Sequence, residues 1–160
     1  MGTTVASCKN GLKSQGMFMA AYDDNNIFAR ILRGEIPSHK VYETDTVLAF
    51  LDVMPQSDGH TLVVPKKAKA RNLLDADPET LADLIKTVQH VAVGVQKAFG
   101  AEGLLIQQFN EAVAGQTVFH LHFHIVPRKE GATLRGHGAA MEKPEILAAN
   151  AEKLRQVLNG

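Results

Sequence analysis

The sequence predicts a single α+β domain, with a mainly antiparallel sheet of about five strands packed against one long helix and shorter terminal helices. Three observations predict it. Short apolar runs are joined by hairpin-length polar turns, which suits antiparallel neighbours. One long stretch repeats its apolar residues with helical period. The 160 residues carry 45% hydrophobic and 21% charged side chains, a folded-domain composition. Lys plus Arg (17) equals Asp plus Glu (17), so no whole-surface field points to nucleic acid or membrane. A lone cysteine, Cys8, excludes an internal disulfide and leaves too few thiolates for a cysteine zinc site. No apolar stretch approaches the ~20 residues of a membrane helix, and a cytoplasmic location is expected.

Residues 1–22 are small and polar and read as a disordered leader, with the domain over 23–160. Asp23 and Asp24 would cap a helix over 25–33, whose Ile27, Phe28, Ile31 and Leu32 make one face. Gly34 ends it and Pro37 prevents its return. Residues 40–44 and 47–53 read as two strands, and 60–64 as a third closed by Pro65. Lys66, Lys67, Lys69 and Arg71 read as a solvated turn rather than a phosphate patch. Asp77 and Pro78 give a helix start, N-cap then N1, and the helix runs to about Phe99 before Gly100. His90 within it reads as a surface or packing histidine. Strands follow over 103–110 and 118–126, the second ended by Pro127. Residues 128–143 look irregular, and Pro144 opens a final helix over 144–158.

The informative segment is His120-Leu-His-Phe-His-Ile-Val-Pro127. On a strand, His120, His122 and His124 share one face, and Leu121, Phe123 and Ile125 the other. Successive histidines then lie roughly 6.5–7 Å apart. The apolar face is expected to pack on the long helix and the histidine face to look into a polar cleft. Three readings compete. Satisfied structural histidines are one, though three imidazoles in five residues are hard to satisfy by accident. A zinc site completed by His60 or a carboxylate is a second. Nucleophilic and acid–base chemistry on a phosphate is the third, because imidazole is available both neutral and protonated near pH 7. Asn110, Gln116 and Thr117 add uncharged donors, and Gly115 lets backbone amides approach an anion. This set suits an anionic substrate better than a dication.

The segment resembles the motif of the histidine triad family, and further blocks resemble its Hint branch. These are Asn26-Ile-Phe-Ala-Arg-Ile-Leu-Arg-Gly-Glu-Ile-Pro37, Leu48-Ala-Phe-Leu-Asp-Val-Met-Pro-Gln56, Gly59-His-Thr-Leu-Val-Val-Pro-Lys-Lys67 and Ala114-Gly-Gln-Thr-Val-Phe119. The resemblance spans roughly residues 24–130. It implies a compact domain whose sheet continues across a homodimer, with purine nucleotide substrates and no cofactor. It implies that His122 is the nucleophile that forms a covalent nucleotidyl-histidine. His124 would contact the phosphate and leaving group, and His120 would orient His122 through a backbone hydrogen bond. His60 would be a fourth histidine facing the triad. Asn110, Gln116, Thr117 and the amide of Val118 would hold the phosphate. Asp52 would bind the ribose, and Ile27, Phe28, Ile31, Phe50 and Val53 would line the base pocket.

Two departures matter. Many members of the family carry a zinc-binding Cys-x-x-Cys where this chain has Asn26 and Ala29, so no metal is expected. Thr117 stands where Hint proteins usually have serine. Gln-Thr-Val also resembles the dinucleoside polyphosphate hydrolase branch. The expected activity is hydrolysis or transfer of a purine nucleoside phosphoramidate or related ester to a nucleoside monophosphate. The alternatives are a dinucleoside polyphosphate hydrolase and a nucleotide-binding regulatory module with weak catalysis.

Overall fold

The computed structural model describes residues 20–160, so the expected leader lies outside the described residues as far as residue 19. The elements run α1 (Ile27–Leu32), β1 (Lys40–Glu43), β2 (Val47–Leu51), β3 (Thr61–Pro65), α2 (Pro78–Phe99), β4 (Gly103–Gln107), β5 (Phe123–Arg128) and α3 (Pro144–Leu158). The strands form one sheet in the order β1-β2-β3-β5-β4, with every neighbouring pair antiparallel. The α+β architecture expected from the sequence is therefore the one observed. No described helix is long and apolar enough to cross a membrane.

Alternation along β2 splits the core between the two faces of the sheet. Val47, Ala49 and Leu51 join Leu84, Val88, Val91 and Val95 of α2 and Leu147, Ala151 and Leu154 of α3. Leu48 and Phe50 turn the other way and meet Phe28 and Ile31 of α1 with Leu62 and Val64 of β3. Leu121 and Ile125 lie in the first cluster, so the apolar side of the histidine segment packs toward α2 as expected. Asp77 caps α2 by accepting from Thr80 N, Pro78 fills the first turn, and left-handed Gly100 (φ 57°) ends it.

Several boundaries differ from the sequence expectation; β1, β2 and β4 end early, at Glu43, Leu51 and Gln107, and three others shift. Asn26 caps α1, its side chain accepting from Phe28 N and Ala29 N, while Asp23 closes the preceding turn. The third strand starts at Thr61 and includes Pro65. The last strand starts at Phe123 rather than Val118 and runs through Pro127 to Arg128. Pairing between β3 and β5 covers only Thr61–Val63, so Pro127 needs no N–H on that side. Residues 118–122 stand outside the ladder, held instead by Leu121 N donating to Ala70 O (2.9 Å) and by side-chain contacts.

Gly59 sets the entry into β3. Its φ of +90° disfavours any side chain, and an added Cβ would lie 2.5 Å from the Phe99 ring. Gly59→Ala is expected to cost roughly 2 kcal/mol, from combined strain and overpacking. A lower urea midpoint at unchanged m value would record it; an unchanged midpoint would count against this account.

Candidate active site

β5 and the five residues before it line up the imidazoles. His124 sits opposite Leu62 in the β3–β5 register, on the α1 side of the sheet. Although only His124 is within the strand, the His122 and His124 rings remain adjacent, with centroids 4.9 Å apart. The Phe28 ring packs nearly perpendicular to both His122 and His120, with centroids 5.0 and 6.2 Å apart. His60, at the start of β3, stands 5.2 Å from His124 by ring centroid.

Partners fix which nitrogen of each ring carries the proton. His122 Nδ1 lies 2.6 Å from the His120 carbonyl oxygen, which only accepts, so Nδ1 bears the hydrogen and Nε2 keeps its lone pair. His120 Nε2 lies 3.0 Å from Pro65 O and bears the hydrogen, leaving Nδ1 as acceptor for the Tyr22 hydroxyl. Gln56 N donates to His60 Nδ1 (3.1 Å), so His60 Nε2 donates to His124 Nδ1 (2.9 Å). His124 is thereby left with its hydrogen on Nε2, a buried atom with no protein partner. Burial holds all four rings neutral. It pushes His60 and His120 down to about 4, and lowers His122 and His124 as well.

His122 and His124 open onto a cavity of about 810 Å³, within the size range of small-molecule sites. The apolar Ile27, Phe28, Ile31, Phe50 and Val53 line it together with Asp52, Thr117 and Val118. His60 and His120 are each 1% exposed and lie behind the lining residues. Asn110 and Gln116 do not line the cavity. The Gln116 amide is consumed within its loop: Nε2 donates to Arg71 O and Val118 O, and Oε1 accepts from Glu111 N and Asn72 Nδ2. The Asn110 side chain is engaged by Gln108 and by Leu73 N. Both shape the loop before the triad rather than face the open space.

Several contributors had no signal in the sequence. Arg71, read as part of a solvated run, grips Glu111 with two 2.8 Å hydrogen bonds and lies 3.8 Å over the Phe119 ring. Glu111 is the described non-glycine residue with positive φ (71°), and this grip holds the turn before the triad. The C-terminal loop, read as irregular, brings His137, Met141 and Glu142 to the cavity, joined by Pro144 and Leu147 of α3. The His137 ring lies 5.4 Å from His124. Arg135 clamps that loop through Asp58 (2.9 Å), Glu142 (2.8 Å) and a backbone bond to Gln56 O. Such pairings join residues remote in sequence, so no local pattern announces them. His90 packs against Tyr42 (4.7 Å between ring centroids) and takes no part in the site.

Asp52, His60 and His124 bring one potential ligand atom each within 4.8 Å of one another. Hydrogen bonds to Gln56 N and His124 already occupy both His60 nitrogens, so a cation there would have to displace at least one of them.

Residues 33–131 match the HIT domain family model. The chain is similar to a Hit-like protein involved in cell-cycle regulation from Bartonella henselae, with 58% identity and a TM-score of 0.80, covering 86% of this chain and 99% of that one. An adenylylsulfatase of Arabidopsis thaliana is 34% identical over 87% of this chain and 74% of its own. An adenosine 5'-monophosphoramidase of Schizosaccharomyces pombe is 42% identical over 64% of this chain and 73% of its own.

Proposed function

This chain belongs to the HIT domain family, and on that premise we propose that it is a nucleotide hydrolase that splits purine nucleoside phosphoramidates or related nucleotidyl esters. The observation that carries the reading is the His122 ring, with Nδ1 tied to the His120 carbonyl and Nε2 unprotonated at the wall of the cavity. In this reading the purine lies between Ile27, Phe28, Ile31, Phe50 and Val53, with Asp52 taking the ribose hydroxyls. Thr117 and the Val118 amide then hold the phosphate. Asn110 and Gln116 support the phosphate-binding loop.

The reaction proceeds in two displacements. The His122 Nε2 lone pair attacks the α-phosphorus as the bond to the leaving nitrogen or oxygen breaks. The leaving atom takes a proton from His124 Nε2. A bound phosphoryl anion favours the imidazolium form of His124 that supplies it. When His124 is charged, its Nδ1–H turns to His60 Nε2, and the His60 hydrogen moves to Nδ1, which gives up the hydrogen bond from Gln56 N and turns toward Asp52 Oδ2, 3.6 Å away. Water then attacks the nucleotidyl-histidine, returns a proton to His124 and frees the nucleoside monophosphate. Splitting the reaction replaces one difficult step with two easier ones.

A single-turnover experiment with adenosine phosphoramidate, followed by mass spectrometry, is expected to show an adenylyl group on His122. Turnover without any adduct, under conditions that trap one in other phosphohistidine enzymes, would count against the covalent route. Gln116-Thr117-Val118 also favours a second reading, a dinucleoside polyphosphate hydrolase, and faster turnover of such a substrate in the same panel would select it. Activity is expected to survive prolonged chelation. Loss on chelation with recovery on added zinc would favour a metal at Asp52, His60 and His124. The open edge of β4 suits continuation of the sheet across a homodimer, and a cytoplasmic location fits the single cysteine.

A further inference from the structure

The five residues that carry His120 and His122 lack the sheet hydrogen bonds that fix His124. Something else must hold them, because a displaced nucleophile loses rate steeply. Leu121 N bonds Ala70 O, Gln116 Nε2 donates to Val118 O and Arg71 lies over the Phe119 ring, and the anchor at His120 itself is its own ring. That ring is 1% exposed, so both of its nitrogens need partners. Pro65 O takes the hydrogen on Nε2, and Pro65 ends β3, so one side of the ring is tied to the sheet. Nδ1 then requires a donor. The Tyr22 hydroxyl supplies it at 2.5 Å, and the two rings pack with centroids 5.6 Å apart.

Tyr22 lies in the segment before α1, ahead of the part of the chain that matches the HIT domain. That segment is itself fastened. Asp24 pairs with Lys69 (2.8 Å), and its carbonyl accepts from Arg33 Nη1 (2.7 Å). We infer that Tyr22 is a positioning residue of the active site, its hydroxyl locking His120 in one tautomer and one rotamer so that the His120 carbonyl holds His122 Nδ1–H. The line of force runs from the Tyr22 hydroxyl to the His120 ring, through the His120 backbone, to the nucleophilic ring. The hydroxyl stays protonated at neutral pH because burial raises its pKa. Without it His120 Nδ1 becomes a buried acceptor with no partner, and the ring gains freedom to rotate or to change tautomer. The catalytic consequence rests on the proposed histidine nucleophile; the effect on the His120 tautomer does not.

Tyr22→Phe keeps the ring contact and removes only the donor. In the full chain it is expected to lower kcat for adenosine phosphoramidate about tenfold with little change in KM, which corresponds to loss of one oriented contact. Imidazole nitrogen NMR is expected to show a single Nε2–H tautomer for His120 in the parent protein and a mixture in the variant. Lys69→Ala, which loosens the same segment without touching His120, is expected to leave both kcat and the His120 signals unchanged. Equal kcat and an unaltered His120 tautomer in Tyr22→Phe would overturn the inference. So would a Lys69→Ala variant that reproduces both changes, since segment packing alone would then explain them. If the parent protein turns over no nucleotide substrate, the proposed function fails, while the NMR comparison still decides the role of Tyr22.

Discussion

Replacing His122 with alanine is expected to abolish turnover, by on the order of 10⁴-fold or more in kcat, while the protein still binds nucleoside monophosphate. The asymmetry follows from where the ring sits. The ring lines the cavity and its Nδ1 hydrogen is spent on the His120 carbonyl, so what it offers a substrate is the Nε2 lone pair at a fixed place. Of the apolar residues that line the cavity, Ile31, Phe50 and Val53 remain in place and Phe28 loses only its contact with the His122 ring. The Kd for the monophosphate is therefore expected to shift by less than about tenfold, or about 1.4 kcal/mol. Rapid-quench kinetics would measure the first quantity and titration calorimetry the second. Turnover within about tenfold of the parent would remove His122 from the reaction and with it the proposed mechanism.

The second large effect is on stability in mild acid. Burial sets the folded-state pKa of His60 and of His120 to about 4 and lowers those of His122 and His124. In the unfolded chain these rings titrate near ~6.5. Above that value neither state binds the protons and the histidines cost nothing. As the pH falls from ~6.5 toward 4, the unfolded chain takes up protons that the native state refuses, so stability falls with pH. The loss is complete only when the folded-state groups themselves titrate. It amounts to on the order of 3 kcal/mol for each of His60 and His120, a large share of the ~5–15 kcal/mol typical of a domain. Urea midpoints measured from pH 7.5 down to pH 4.5 are expected to fall steadily. Ion-paired carboxylates such as Glu111, held low by the Arg71 hydrogen bonds, lose their contribution only at lower pH, so the upper part of the window reports the histidines. A flat profile between pH 7 and 5 would mean the rings are hydrated in the native state.

Much of the site was legible because it depends on local periodicity. Alternation placed Leu121 and Ile125 toward α2 and the histidines on the other side, and this survived even though the strand begins five residues later than expected. The late start was hidden because it depends on Pro65, which lies far away in the chain and gives its carbonyl to a side chain rather than to the ladder. The polar residues before the triad show the opposite failure. Gln116 and Asn110 looked like free donors, but a side-chain amide bonds whatever lies nearest, and folding brought Arg71 O, Asn72 and Gln108 to them. Tyr22 was hidden by the polar, aperiodic stretch around it, and His137 by the glycines on either side.

Residue order was enough to specify the α+β class, the long capped helix and the three imidazoles on one side of the chain, because helix and strand periods are written into neighbouring residues. Which nitrogen of each imidazole carries its hydrogen was decided only in three dimensions. A ring takes its tautomer from the atoms it meets: for His122 and His60 these are backbone groups two and four positions away, but for His120 and His124 they are a proline carbonyl 55 positions away, a tyrosine hydroxyl 98 positions away and a histidine 64 positions away. Chemistry at the site therefore follows from contacts that exist only once the sheet has closed and both ends of the domain have packed around it.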